Sequence, residues 1–208
     1  NVWMEITHDL YNSVRECEKS FGGSPISIDR AVALWLGEEQ TYGSFTTGYL
    51  MYHITQKAAQ NWGGNTTEAA INGRIFNLFS AAKVAATECV RSPSDAVKAL
   101  RSKVADILVL MTVPLLQNLL FYLDSGNDNY IELYALAVIP QAVGCGESNF
   151  LFLRDILVNE AQFNRNTLDS TFFESMKGFQ RCLRISCDDL LDGTNPSLSL
   201  RTLVLNQC

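Results

Sequence analysis

The sequence predicts an all-α fold: a single globular multi-helix domain around a proline-kinked buried helix, followed by an extended C-terminal tail. Three observations carry this expectation. Apolar residues recur at spacings of three and four through most of the chain, which is the period of a helix face. The apolar runs open on capping residues or proline and close on glycine, as helices do. No alternating run is long enough for a sheet core. With 208 residues, 47% of them hydrophobic and 18% charged, the chain can bury a sizeable core and is not composed like a disordered segment.

The first predicted helix runs from Trp3 to Ser20, with Trp3, Ile6, Leu10, Val14, Cys17 and Phe21 along one face. Phe21-Gly22-Gly23-Ser24-Pro25 ends it. Ser27 is positioned to cap a second, strongly apolar helix over Ile28 to Leu36, with Asp29 near its positive end and Gly37 as the stop. A polar loop, Glu38 to Ser44, precedes a third helix from about Thr46 to Asn61. On that helix Tyr49, Tyr52, His53 and Gln56 occupy neighbouring turns, so their polar ends can converge with the loop. As core aromatics and a satisfied histidine they would serve packing alone.

Trp62-Gly63-Gly64 punctuates the chain, and Asn65-Thr66-Thr67-Glu68 has the form of a capping box for a fourth helix reaching about Cys89. Ser92-Pro93-Ser94-Asp95 opens the next, with Ser92 as cap and proline at the first helical position. That helix enters the central stretch Met111 to Leu123, M-T-V-P-L-L-Q-N-L-L-F-Y-L. Pro114 has no amide to donate four residues back and its ring crowds the preceding turn, so a bend or a break is expected near Leu110. From Ile107 to Leu123 the apolar run falls short of the ~20 residues a spanning helix needs and is interrupted by proline and two amides, which points to a core helix.

Asp124 to Asp128 lacks the glycine and glutamate of a calcium loop at the right offsets and reads as a turn. Further helices are predicted over Tyr130 to Val143, Asn149 to about Asn159, and from a second capping box, Thr171 to Glu174, as far as Cys182. Residues 1–193 make up the expected domain and 194–208 the tail. Ser197 to Val204 alternates in part at period two and leads to Cys208. Such a tail can dock on its own domain, or join a neighbouring copy to make a homo-oligomer or filament, with Cys208 as a covalent clasp. Cys17 and Cys208 could equally tie the tail to the first helix.

The net charge of −6 and the lack of clustered Lys and Arg argue against a nucleic-acid partner. Acidity is compatible with cation binding but more often serves solubility. Cysteines stand at Cys17, Cys89, Cys145, Cys182, Cys187 and Cys208, with only two histidines, His8 and His53. The Cys182–Cys187 spacing is too wide for a redox C-x-x-C, and a Cys/His zinc site finds little support. Disulfides, and therefore an oxidising compartment, are the expectation. The sequon Asn65-Thr66-Thr67 agrees with secretion and marks Asn65 as a glycosylation candidate; a glycan there would compete with the capping bond. No basic-then-apolar leader precedes Asn1, so a secreted chain would stand here in mature form.

None of the nucleophile-elbow, phosphate-loop, dinucleotide or zinc-protease signatures occurs, so no catalytic residue is nominated and a non-enzymatic role is expected. What remains is a possible oxygen-rich metal site from Glu38, Glu39, Tyr42, Tyr49 and His53, ligand types that suit hard or borderline ions such as ferric iron.

Four segments carry a family resemblance: M-T-V-P-L-L-Q-N-L-L-F-Y-L, the upstream N-G-R-I-F-N-L-F-S-A, the later A-L-A-V-I-P-Q-A-V-G-C and the closing C-L-R-I-S-C-D-D. In order and spacing they resemble the repeated domain of algal low-iron-inducible periplasmic proteins, among them the phytotransferrin-like, iron-starvation-induced surface proteins of diatoms. The resemblance covers about Ile28 to Gly193. It implies a secreted or cell-surface helical domain, often in tandem, that binds ferric iron for its acquisition, with a synergistic anion such as carbonate. Asp29 to Gly37 looks like the family's D-x-A-V-A-F-Y-x-G start. Where the family's third helix ends in K-R-C, this chain has Lys57-Ala58-Ala59 and lacks the cysteine pair that usually follows. That departure removes a disulfide beside the candidate site. The alternative expectation is a structural or assembly module of an extracellular surface or filament, with the tail contacting a neighbouring subunit.

Overall fold

The computed structural model of the chain describes residues 2–19, 25–37, 50–64, 68–159, 169–191 and 194–197. Among these residues every regular element is helical and no strand occurs. The chain divides into two compact units, Asn1–Lys57 with Thr66–Met111, and Ala58–Asn65 with Thr112–Cys208.

In the first unit α1 (Val2–Glu18) and α2 (Pro25–Leu36) pack together. Ile6, Leu10, Val14 and Cys17 form the buried face of α1, as the spacing predicts. Helix α2 begins three residues earlier than expected. Pro25 opens it, because a residue without an amide is tolerated in the first turn, and Ser27 is a buried residue inside the helix instead of its cap. Asp9 of α1 is buried, with the guanidinium of Arg30 on α2 at 3.6 Å. Trp35, fully buried, packs edge-on to Tyr52 at 5.3 Å between ring centroids and against Phe79 at 5.6 Å. Phe79 lies in α4 (Ala70–Glu88) and Tyr52 in the first turn of α3 (Met51–Asn61).

The expected capping box at Asn65–Glu68 does not start α4. The N-cap is Ala69, which has no side chain to offer, and its amide donates instead to Gln56 Oε1 on α3, 2.8 Å away in the buried interior. Asn65 itself lies outside the described residues. A disulfide joins Cys17 to Cys89, with Cα atoms 5.3 Å apart, so Cys17 is not the anchor of the tail.

Helix α5 (Pro93–Ser125) runs for 33 residues without interruption through Pro114, so the expected break near Leu110 is absent. The missing Pro114 amide falls where Met111 to Leu120 are buried without a gap, and packing holds the turn that the lost hydrogen bond weakens. Continuity also changes the membrane argument. The helix is long and apolar enough to cross a membrane by length and composition, although its proline-interrupted core falls short when counted from Ile107. Yet 72% of its most apolar window is buried inside the protein, as in a core helix.

In the second unit α6 (Asp128–Val138) follows a turn at Gly126 and Asn127 and passes into a 3-10 segment, Ile139–Cys145. The helix predicted to reach Val143 therefore tightens at Pro140, whose ring and missing amide disfavour an α turn. Helix α7 (Glu147–Arg154) ends in a π turn, Asp155–Asn159. Helix α8 (Ser170–Cys182) is capped by Asp169, whose Oδ1 accepts from the amides of Thr171 and Phe172, so the capping residue lies two positions before the predicted Thr171. A short α9 (Cys187–Leu191), unforeseen in the sequence, is opened by Ser186 and Asp189 in reciprocal hydrogen bonds. Cys145 and Cys182 form the second disulfide, Cys187 is also disulfide-bonded, and none of the described cysteines is free. The tail beyond residue 197, with Cys208, lies outside the described residues.

One glycine here has no substitute. Gly63 has φ +70°, and a Cβ on it would lie 2.5 Å from the Asn195 carbonyl oxygen, while the Asn195 amide donates to the Trp62 carbonyl at 2.9 Å. Gly63→Ala is expected to destabilise the protein by about 2–3 kcal/mol, from left-handed strain and overpacking together, read as a lowered denaturant midpoint. A midpoint within error of the parent's would show that the 194–197 segment yields freely.

Candidate functional site

Of the five residues nominated as metal ligands, Glu38, Glu39, Tyr42 and Tyr49 lie outside the described residues, and His53 is described. His53 sits in the first turn of α3 and is half-buried. Its helical neighbours are committed to the core. Tyr52 is buried against Trp35, its carbonyl accepts from Asn72 Nδ2 at 3.0 Å, and Gln56 holds the start of α4. Tyr52 thus packs in the core and Gln56 holds the start of α4, and His53 is left on the less buried side of the helix.

The ends of the segment carrying the other four candidates are close together. Gly37, which closes α2 by donating to the Ala33 carbonyl at 2.8 Å, has φ +92°, and a Cβ there would be 3.1 Å from Leu50 Cδ1. Leu50 immediately precedes α3, and its carbonyl accepts from Ile54. The chain thus leaves at Gly37 and returns beside it at Leu50, one turn from His53. Glycine is needed because a left-handed residue must lie against the Leu50 side chain. Elsewhere, no group of three or more His, Cys, Asp or Glu side chains is placed to hold a metal among the described residues.

A second cluster escaped the sequence reading. Tyr122 at the end of α5 stacks on Tyr130 at 4.5 Å and 13°, and on Tyr134 at 5.6 Å and 12°, both from α6. The signal was present: Tyr130 and Tyr134 are four residues apart, on one helix face, across a short turn from Tyr122. Burial, and then the neighbouring phenols Tyr122 and Tyr130, push Tyr134 up to about 12. Tyr122 is raised by burial and by Tyr130, against a lowering hydrogen bond from Asn61. Well below pH 10 the Tyr134 phenol is protonated whether folded or unfolded, so it contributes no pH dependence there. Between pH 10 and about 12 the unfolded chain gives up that proton and the folded chain keeps it, so stability falls as pH rises. Alkaline titration followed by tyrosinate absorbance is expected to show a late phase near pH 12 that Tyr134→Phe removes. Titration of all phenols together near pH 10 would contradict the stacked arrangement.

Polar residues of the central stretch organise the second unit. Trp62 Nε1 donates to the Gln117 carbonyl at 2.9 Å, Gln117 Nε2 to the Leu190 carbonyl at 2.8 Å, and Asn61 Nδ2 to Asn118 Oδ1 at 3.3 Å. Thr112 Oγ1 donates to Gln141 Oε1. Gln117 and Asn118 are thus hydrogen-bonded as expected for buried amides beside the proline. Three of the four segments that carry the resemblance meet through these bonds. Thr112 of the first bonds Gln141 of the third, and the third is joined to the fourth by Cys145–Cys182.

Comparison of the chain with models of known protein families, with curated proteins and with solved structures finds no match.

Proposed function

We propose that the chain is a non-enzymatic domain of a secreted or cell-surface protein that binds ferric iron. The observation that carries this reading is the closure of the segment 38–49 at Gly37 and Leu50, one turn from His53. That segment holds Glu38, Glu39, Tyr42 and Tyr49. Carboxylates, phenolates and an imidazole suit ferric iron, with a small anion such as carbonate able to complete the shell. The resemblance to low-iron-inducible periplasmic proteins supports the same reading. So do the two disulfides, which fit an oxidising compartment. Titration with ferric nitrilotriacetate is expected to develop a saturable visible band from tyrosinate coordination, abolished by Tyr42→Phe with Tyr49→Phe and retained in Tyr122→Phe. A flat titration, with no iron by elemental analysis, would refute the reading.

A second reading, a structural or assembly module of an extracellular surface, draws on α6. Tyr130, Leu133 and Leu136 are exposed there, at 44%, 55% and 52%. Sedimentation that shows a strict monomer, unchanged by Leu133→Glu, would remove its support.

A further inference from the structure

Within the first unit, a groove of about 550 Å³ runs between α1 and the N-terminal half of α5. On α1 its lining is Tyr11, Val14, Arg15 and Glu18, spaced i, i+3, i+4 and i+7 on one helix face; on α5 it is Arg101, Val104 and Ala105. Val14 and Val104 are buried and form an apolar floor, while the charged residues stand at the rim. The volume lies in the range of small-molecule sites, which are mostly apolar with a few placed polar groups.

The two arginines differ in state. Arg101 is held by Glu18, whose Oε1 accepts from Nε at 3.1 Å and also from Nη2. The Arg15 guanidinium has no partner among the described residues. The groove therefore carries a surplus positive charge on a chain whose net charge is −6, and its free cation stands over buried valines. The frame is preset: the Cys17–Cys89 disulfide fixes the end of α1, beside Glu18, to the C-cap of α4, four residues before α5 begins at Pro93.

We infer that this groove binds a small amphipathic carboxylate, with its apolar body along Val14 and Val104 and its anionic head on Arg15. Charge complementarity selects the occupant: an uncharged apolar molecule would leave Arg15 unused, and a planar carboxylate accepts two parallel bonds from a guanidinium. The site is independent of the iron reading, since none of its residues belongs to the segment 38–49 or to α3.

The test is calorimetric titration of the intact protein with decanoate below its micelle concentration, and with decanol as the uncharged counterpart. Decanoate is expected to bind saturably and more tightly than decanol. Arg15→Gln is expected to weaken decanoate at least tenfold while leaving decanol unchanged, and Arg15→Lys to retain part of the affinity. Ala105→Trp, which fills the groove from an exposed position, should remove binding of both, with an unaltered circular-dichroism melt. Three results would overturn the inference: no decanoate binding, binding indifferent to both Arg15→Gln and Ala105→Trp, or a dimer that Arg15→Gln dissociates, which would make a second copy the occupant.

Discussion

Replacing Cys17 and Cys89 together by alanine is expected to lower stability by about 4 kcal/mol, the loop-closure entropy that a cross-link of this span removes from the unfolded chain. The bridge spans 72 residues, and both sulfurs are fully buried. Alanine at both positions adds little unsatisfied polarity, so the loss is dominated by the unfolded ensemble, which regains the freedom of the chain between α1 and the end of α4. The Cys145–Cys182 bridge spans 37 residues, and its removal should cost slightly less, because closure entropy grows only logarithmically with loop length. Guanidinium unfolding of the two double variants measures both. A smaller loss for the 72-residue bridge than for the 37-residue bridge would mean that the unfolded chain already keeps α1 near α4.

Trp35→Ala is expected to destabilise the first unit by about 3–5 kcal/mol, the usual range for deleting a fully buried aromatic. The indole fills the space between Tyr52 and Phe79, and neither ring can follow it: Tyr52 is tied through its carbonyl to Asn72, and Phe79 sits in the buried face of α4. Trp35→Phe offers a contrast. The indole Nε1 is buried with no hydrogen-bond partner among the described residues, so phenylalanine removes a donor unsatisfied by them while keeping most of the apolar surface, and the loss should stay below about 1.5 kcal/mol. If the two substitutions destabilise equally in thermal or denaturant unfolding, the packing account of Trp35 is wrong.

Helix existence and the buried faces were legible because they depend on local periodicity. Ile6, Leu10, Val14 and Cys17 of α1 are buried as their spacing requires. Helix starts were less legible, because the groups that satisfy the first amides need not be sequence neighbours. Gln56 serves Ala69 from thirteen residues away, whereas Asp169 and Ser186 satisfy local rules beside stronger-looking motifs. Of the bend or break expected from Pro114, the break does not occur: a proline weakens one turn, but burial on both sides of that turn lets the helix continue through it. Of the candidate site only His53 lies among the described residues, on α3 where the sequence placed it. Tyr52 packs in the core, as one of its two sequence readings has it, whereas the hydrogen bond by which Gln56 holds the start of α4 was not legible, because its partner lies thirteen residues away. The tyrosine stack went unseen although the turn between Tyr122 and Tyr130 was foreseen, because a turn's position does not fix the angle at which α6 folds back over Tyr122.

Helix α5 has a consequence for how the chain is made. If the protein is exported, this segment enters a translocation channel before the elements C-terminal to it, such as the 187–191 helix whose Leu190 carbonyl Gln117 bonds, exist, and there it competes as a membrane span by its length and apolarity. Thr112, Gln117 and Asn118 and the Pro114 backbone lower its preference for lipid at the centre of the segment, where polar groups weigh most. The same amides later bond Leu190 and Asn61 in the folded chain. Leucine at 117 and 118 would therefore act twice, once by loosening the second unit and once by retaining the nascent chain in the bilayer.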